Sequence, residues 1–189
     1  MWKSRRLFVC QTPALVSGAV VFPQLVAGAS SNPKENKHVN VEQEIRLLRD
    51  KDAIREIRYR FGWALDTKDW PLFESLFTPE VEADFSALGA PAKRMTPAEL
   101  VGMFKHAFRA EGTRTQQLYS NFLIEVDGAT ATCTSYLHGQ HFTPGFTGGE
   151  EFHIRAAYQD RLLFQEGRWR IHGMKLIVFF VTGNAAMIS

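Results

Sequence analysis

Between Val41 and Asp66, apolar residues fall at Ile54, Ile57, Phe61, Ala64 and Leu65, the three-and-four spacing of one buried helical face, while Glu42, Glu44, Arg46, Arg49 and Arg55 mark a solvated side. The spacing predicts a helix over 41–66, with a change of face around Asp50 to Asp52 that makes its start an arm or a bend. A second helix is predicted from Asp69 to Phe77, because Asp69 stands before Trp70-Pro71 as an N-cap before a first-turn proline. It stops near Pro79, and Val81 to Phe85 alternates as a short strand before a loop with Gly89 and Pro91. Thr96-Pro97-Ala98-Glu99 reads as a capping box that opens a third helix through about Ala110, with Leu100, Phe104 and Phe108 as its buried stripe. Beyond Gly112 the period falls to two. Long strands are predicted over 114–126, 129–142, 151–164 and 168–181, separated by turns at Asp127-Gly128 and Glu166-Gly167 and by a glycine-rich loop. Three helices followed by a meander define an α+β domain over 41–189, with the helices gathered on one face of a mostly antiparallel sheet.

The residues before this domain have a different character. Lys3, Arg5 and Arg6 lead a moderately apolar run from Leu7 to Val26, then Ala27-Gly28-Ala29, so residues 1–29 read as an export signal cleaved after Ala29. The paired arginines before Leu7-Phe8-Val9 resemble a twin-arginine signal and predict a periplasmic protein; the alternative is a cytoplasmic protein with an uncleaved tail. Gln11, Thr12, Pro13 and Ser17 interrupt the run, so no membrane partner is expected for the mature form. Residues 30–40 form a polar linker. Cys10 would leave with the signal, so Cys133 has no disulfide partner and the domain must stand on its core. A net charge of +2 with dispersed basic residues argues against nucleic acid. A homo-oligomer, dimer or trimer, is expected.

Asp66 is the first candidate for chemistry: an acid at the end of an apolar helical face, where the helix dipole disfavours a carboxylate and burial would raise its pKa. It reads either as a site carboxylate or as a turn residue, the capping role belonging to Asp69. No P-loop, nucleophile elbow, zinc-helix motif or dinucleotide glycine fingerprint is present, and no metal is expected. His138 and His141, three apart in one strand, point to opposite faces, which argues against a shared metal. Strand parity groups His141 with Ala131, Cys133, Ser135, Leu137 and Gly139 on the smaller, drier face. Two readings of His141 stay open: a core histidine bonded to a backbone carbonyl, or, opposite an acid such as Asp66, a group that moves a proton near neutral pH.

Taken in order, WALDTKDW at the end of a helix, PAELVGM on a helix, RTQ opening a strand and the closing GRWRI strand resemble scytalone dehydratase and the wider SnoaL-like, NTF2-like superfamily, over about Asp50 to Asn184. The resemblance implies an α+β cone, three N-terminal helices on a strongly curved, mostly antiparallel sheet, whose pocket holds a small hydrophobic molecule. The dehydratases within it use an Asp, two His and water-holding tyrosines, and no cofactor. The Asp corresponds to Asp66 and the second His to His141, whereas the first His falls at Gln117 and the tyrosines at Leu65 and Phe85. Tyr158 stands where the dehydratase has Asn, and Phe61 where many relatives have Tyr. Phe61, Trp63, Leu65 and Phe85 would thus make a drier pocket around Asp66 and His141. The resulting expectation is a cofactor-independent lyase or isomerase acting on a small hydrophobic hydroxyl or carbonyl compound. Asp66 would orient His141 or take its proton, His141 would act as base and then acid, and Gln117 with Tyr158 would bind the substrate oxygen. The alternative is a non-catalytic binding module for a small apolar ligand.

Overall fold

The computed structural model describes residues 40–188, so the predicted export signal and all of the linker except Asn40 lie outside the described residues. Helix α1 (Val41–Thr67) is capped by Asn40, whose side chain accepts from the Gln43 N–H at 3.3 Å. It runs unbroken through Asp50 to Asp52. Its first turns form an exposed arm, and the change of face marks where the helix meets the sheet, at a 2.9 Å hydrogen bond from Trp169 Nε1 to Asp50.

Helix α2 (Trp70–Ser75) starts at the Asp69 cap as predicted and is shorter than the apolar run suggested. Phe77 already belongs to strand β1 (Phe77–Asp84), four residues before the predicted start. Pro79, read as a helix stop, sits inside that strand. The pairing of β1 with β6 slips between Phe77 and Glu82, and an irregularity of this kind tolerates a residue with no N–H to donate. The Gly89 and Pro91 loop contains a short edge strand that alternation could not show, β2 (Lys93–Met95), pairing antiparallel with β1. Helix α3 (Pro97–Ala107) carries the full capping box, with Thr96 N–H to Glu99 at 2.7 Å and Glu99 N–H to the Thr96 hydroxyl at 3.3 Å.

Strands β3 (Arg114–Asp127), β4 (Thr130–Phe142), β5 (Glu151–Gln165) and β6 (Arg168–Gly183) form the predicted meander, and the sheet order is β2-β1-β6-β5-β4-β3. All neighbouring strands are antiparallel except β1 and β6. A bulge in β3 at Asn121 (φ 54°) switches its inner face from Thr115, Gln117 and Tyr119 to Phe122, Ile124 and Val126. Helix α1 packs closely on β3 because Gly62 has no side chain: a Cβ there would lie 3.0 Å from the Gln117 carbonyl oxygen and 3.0 Å from the Tyr119 ring. Phe61, Phe73, Phe77 and Phe104 stack into the core between the helices and the concave face of the sheet. No helix among the described residues is long and apolar enough to cross a membrane.

Candidate functional site

A cavity of about 340 Å³ opens between the concave face of the sheet, the end of α1 and helix α3. Its walls are apolar side chains such as Leu65, Phe85, Phe108, Leu137 and Ile154, and its polar side chains are Gln117, His141 and Tyr158. A few convergent polar groups in an apolar enclosure of this size are the usual make-up of a small-molecule site. A larger groove, about 700 Å³, crosses the outer surface between Glu82 and Lys175, but it is lined by polar and ion-paired side chains and none of the residues predicted from sequence reaches it.

His141 lies on the inner face of β4, as strand parity predicted, and is 8% exposed. Its ring stands edge-on to Phe108 (5.2 Å between centres) and Phe152 (5.5 Å). The imidazole makes no hydrogen bond among the described residues, and its Nδ1 is buried without a partner. The core-histidine reading, which needs a carbonyl partner, is therefore not what the structure shows. Burial first, then the positive charges of Lys68 and His153, push its pKa down to about 4, so the ring is neutral at pH 7.

Gln117 faces the cavity from β3, opposite Gly139 in β4, and its side-chain amide has no hydrogen-bond partner among the described residues. Tyr158, on β5, is buried beneath the guanidinium of Arg58, which lies 4.0 Å from its ring centre. Burial raises the phenol to about 12, so its hydroxyl keeps its proton as a donor. Leu65 and Phe85 are walls, as expected. Phe61 lies one layer behind, wholly buried, with its ring 5.7 Å from that of Tyr158, and supports the wall without facing the cavity. Trp63 is corrected outright: it is 67% exposed. The reason was present in the sequence, since a residue two positions after Phe61 and two before Leu65 lies on the opposite side of a 3.6-residue turn.

Asp66 is half-buried and has both oxygens occupied, one by the Thr115 hydroxyl at 2.9 Å and the other by the Gln117 N–H at 3.0 Å. Burial raises its pKa, while those two donors and Lys68 hold it down. It makes no hydrogen bond to His141 and does not line the cavity. The expected Asp66–His141 contact is replaced by an indirect one through Thr115, the cross-strand neighbour of His141. Asp69, not Asp66, caps α2, accepting from the Leu72 N–H at 3.0 Å. His138 lies on the other face of β4, 3.3 Å from the Gln140 amide, and no cluster of three or more potential metal ligands occurs among the described residues.

Two features escaped the sequence reading. Lys68, after the last turn of α1, brings its ammonium to Thr115 and Phe108. Nothing in its residue type announces this. Arg58 and Asp160 form a buried two-point ion pair, with Nε donating at 2.6 Å and Nη2 bonding the other oxygen. Arg58 lies four residues after Ile54 and three before Phe61, so a charge on the apolar stripe was the available signal.

A cone of helices over a curved sheet, closed around an apolar cavity, defines a fold of the NTF2-like class. The chain belongs to the SnoaL-like domain family, which matches residues 46–175. Solved structures agree in fold. Kfla4162 from Kribbella flavida is 19% identical with a TM-score of 0.70, covering 75% of this chain and 98% of that one. A Novosphingobium aromaticivorans protein named as a candidate scytalone dehydratase is 18% identical with a TM-score of 0.61, covering 76% and 91%. A type 2 hexachlorocyclohexane dehydrochlorinase, LinA, is 13% identical with a TM-score of 0.63, covering 75% and 93%. No curated protein matches the sequence.

Proposed function

We propose that this protein takes a small, largely hydrophobic molecule bearing a hydroxyl or carbonyl group into the interior cavity and acts on it as a cofactor-independent, dehydratase-like lyase or isomerase, with His141 moving the proton. The observation that carries this reading is that His141, Gln117 and Tyr158 all border one apolar cavity and that His141 Nδ1 is buried there with no partner among the described residues, although buried polar groups are ordinarily satisfied. Neutral His141 accepts a proton from a carbon next to the oxygen-bearing one. The C–H electron pair forms a double bond as the C–O bond breaks, and the imidazolium returns the proton to the departing oxygen, releasing water. In an isomerisation the same proton returns to a different carbon. Gln117 and Tyr158 donate to the substrate oxygen. Asp66 anchors Thr115 and the Gln117 backbone, holding both strand positions beside His141. Both a named dehydratase and a named dehydrochlorinase on this fold support an elimination, since each name describes the removal of a small molecule from a substrate.

The test begins with the full chain, purified and examined by mass spectrometry for a retained small molecule, whose conversion is then followed by chromatography. His141→Gln is expected to lower turnover ~10²–10⁴-fold while leaving affinity within about a few-fold. The non-catalytic binding module is the second reading, favoured by the missing Asp66–His141 hydrogen bond. A retained ligand that is never converted, and that His141→Gln releases, decides for it.

A further inference from the structure

Lys68 follows α1 in the left-handed region (φ 62°, ψ 28°), with its N–H bonded to the Ala64 carbonyl. Glycine is the usual residue in that position, because a Cβ crowds the backbone there, and a non-glycine held in this region at a site directs attention to its side chain. The Lys68 ammonium folds back under the helix end. It donates to the Leu65 carbonyl at 2.9 Å and to the Thr115 hydroxyl at 3.2 Å, and it lies 4.4 Å from the centre of the Phe108 ring. The Thr115 hydroxyl in turn donates to Asp66. Phe108 presents itself to His141 within the cavity, and Thr115 is paired with His141 across the two strands. Lys68, Thr115 and Asp66 therefore form a charged bracket beside the cavity, with Phe108 in contact with both the ammonium and the imidazole.

We propose that Lys68 is a positioning residue of this site: it braces Phe108 and Thr115 beside His141, and its ammonium opposes a second positive charge on the imidazole of the ligand-free site. Its bearing on turnover rests on His141 being the proton acceptor. The charged groups acting on His141 are Lys68 from the end of α1 and His153 from β5, both of which lower its pKa after burial has done so. Asp66, the nearby carboxylate, is engaged by Thr115, the Gln117 N–H and Lys68 itself. Ordinary capping of the Leu65 carbonyl accounts for one of the ammonium's contacts and for neither of the others.

Lys68→Gly separates the two roles, since glycine suits the left-handed cap and carries no charge. The measurement is the histidine titration of the full, ligand-free chain by NMR, with His141 assigned from the signal that His141→Gln removes. In Lys68→Gly the His141 midpoint is expected to rise from about 4 toward 6.5, by about half a pH unit or more. In Lys68→Arg it stays at the parent value. An unchanged midpoint in a Lys68→Gly protein with the parent's circular dichroism overturns the inference, and so does an equal rise in Lys68→Arg. If Lys68→Gly does not fold, Lys68→Gln is judged by the same criterion. No turnover enters this measurement, so a chain that converts nothing but shows the rise loses the lyase reading and keeps the role of Lys68.

Discussion

At the scale of single residues, the deepest commitment in this fold is one charge pair. Arg58 and Asp160 are both fully buried, and Arg58 also lies 4.5 Å from the ring of Phe61 and 4.0 Å from that of Tyr158. Burial pulls Asp160 toward its neutral form and Arg58 opposes this, so the pair stands only while both members are present. Asp160→Asn leaves a guanidinium without a counter-charge and is expected to lose roughly 3–5 kcal/mol of stability in urea unfolding. Joint replacement, Arg58→Met with Asp160→Leu, should cost less than the single change, because no charge is left stranded. A double variant less stable than Asp160→Asn alone would refute that account. The same pair explains how Tyr158, the donor on the cavity's back wall, is held from behind.

At the scale of elements, the site depends on how closely β3, β4 and β5 approach one another. Gly139 pairs with Gln117 on one side and Ile154 on the other, and a Cβ there would sit 2.9 Å from the Gln117 side-chain oxygen and 2.7 Å from an Ile154 methyl. Gly139→Ala should keep the fold at a cost of about 1–3 kcal/mol. The displaced Gln117 amide should weaken ligand binding several-fold by calorimetry, with unchanged affinity as the contrary result. The four long strands match their predicted spans closely, because alternation is a local property and hairpin turns such as Asp127-Gly128 mark its ends. β2 and the start of β1 were illegible. Each is defined by a partner strand remote in sequence, and neither three residues nor a segment containing Pro79 carries its own period.

For the whole molecule, burial of neutral imidazole links stability to pH. The His141 pKa falls from 6.5 unfolded to about 4 folded, so between these values the unfolded chain binds a proton that the folded chain refuses. The contribution of His141 to stability is therefore most favourable above pH 6.5 and declines as the pH drops toward 4. From pH 7 to pH 5 the loss due to this residue is about 2 kcal/mol. His138 and His172 act in the same direction, also through burial. Asp66 acts oppositely, since burial raises it and the destabilisation it causes is relieved as pH falls through its folded value. Urea midpoints at pH 7 and pH 5 should thus converge in His141→Gln relative to the parent. An identical pH dependence in both proteins would show that His141 is not the group responsible.

What the sequence determined by itself was whatever one element can express alone. The buried face of α1, the Asp69 and Thr96 caps, and the inner parity that sends His141 toward the helices all follow from periods and caps read along one segment. The motif order was enough to indicate the family. Tertiary structure alone decided which side chains face each other across elements. It tied Asp66 to Thr115 and the Gln117 N–H instead of to His141, turned Lys68 inward, and joined Arg58 to Asp160 across 102 positions of chain. These pairings depend on the distance between α1 and the sheet, and that distance is set by Gly62, by the β3 bulge and by the packed aromatic core together. No residue's own chemistry specifies such a distance, so the place of Asp66 and of Lys68 in the site could be read only once the helix lay on the strands.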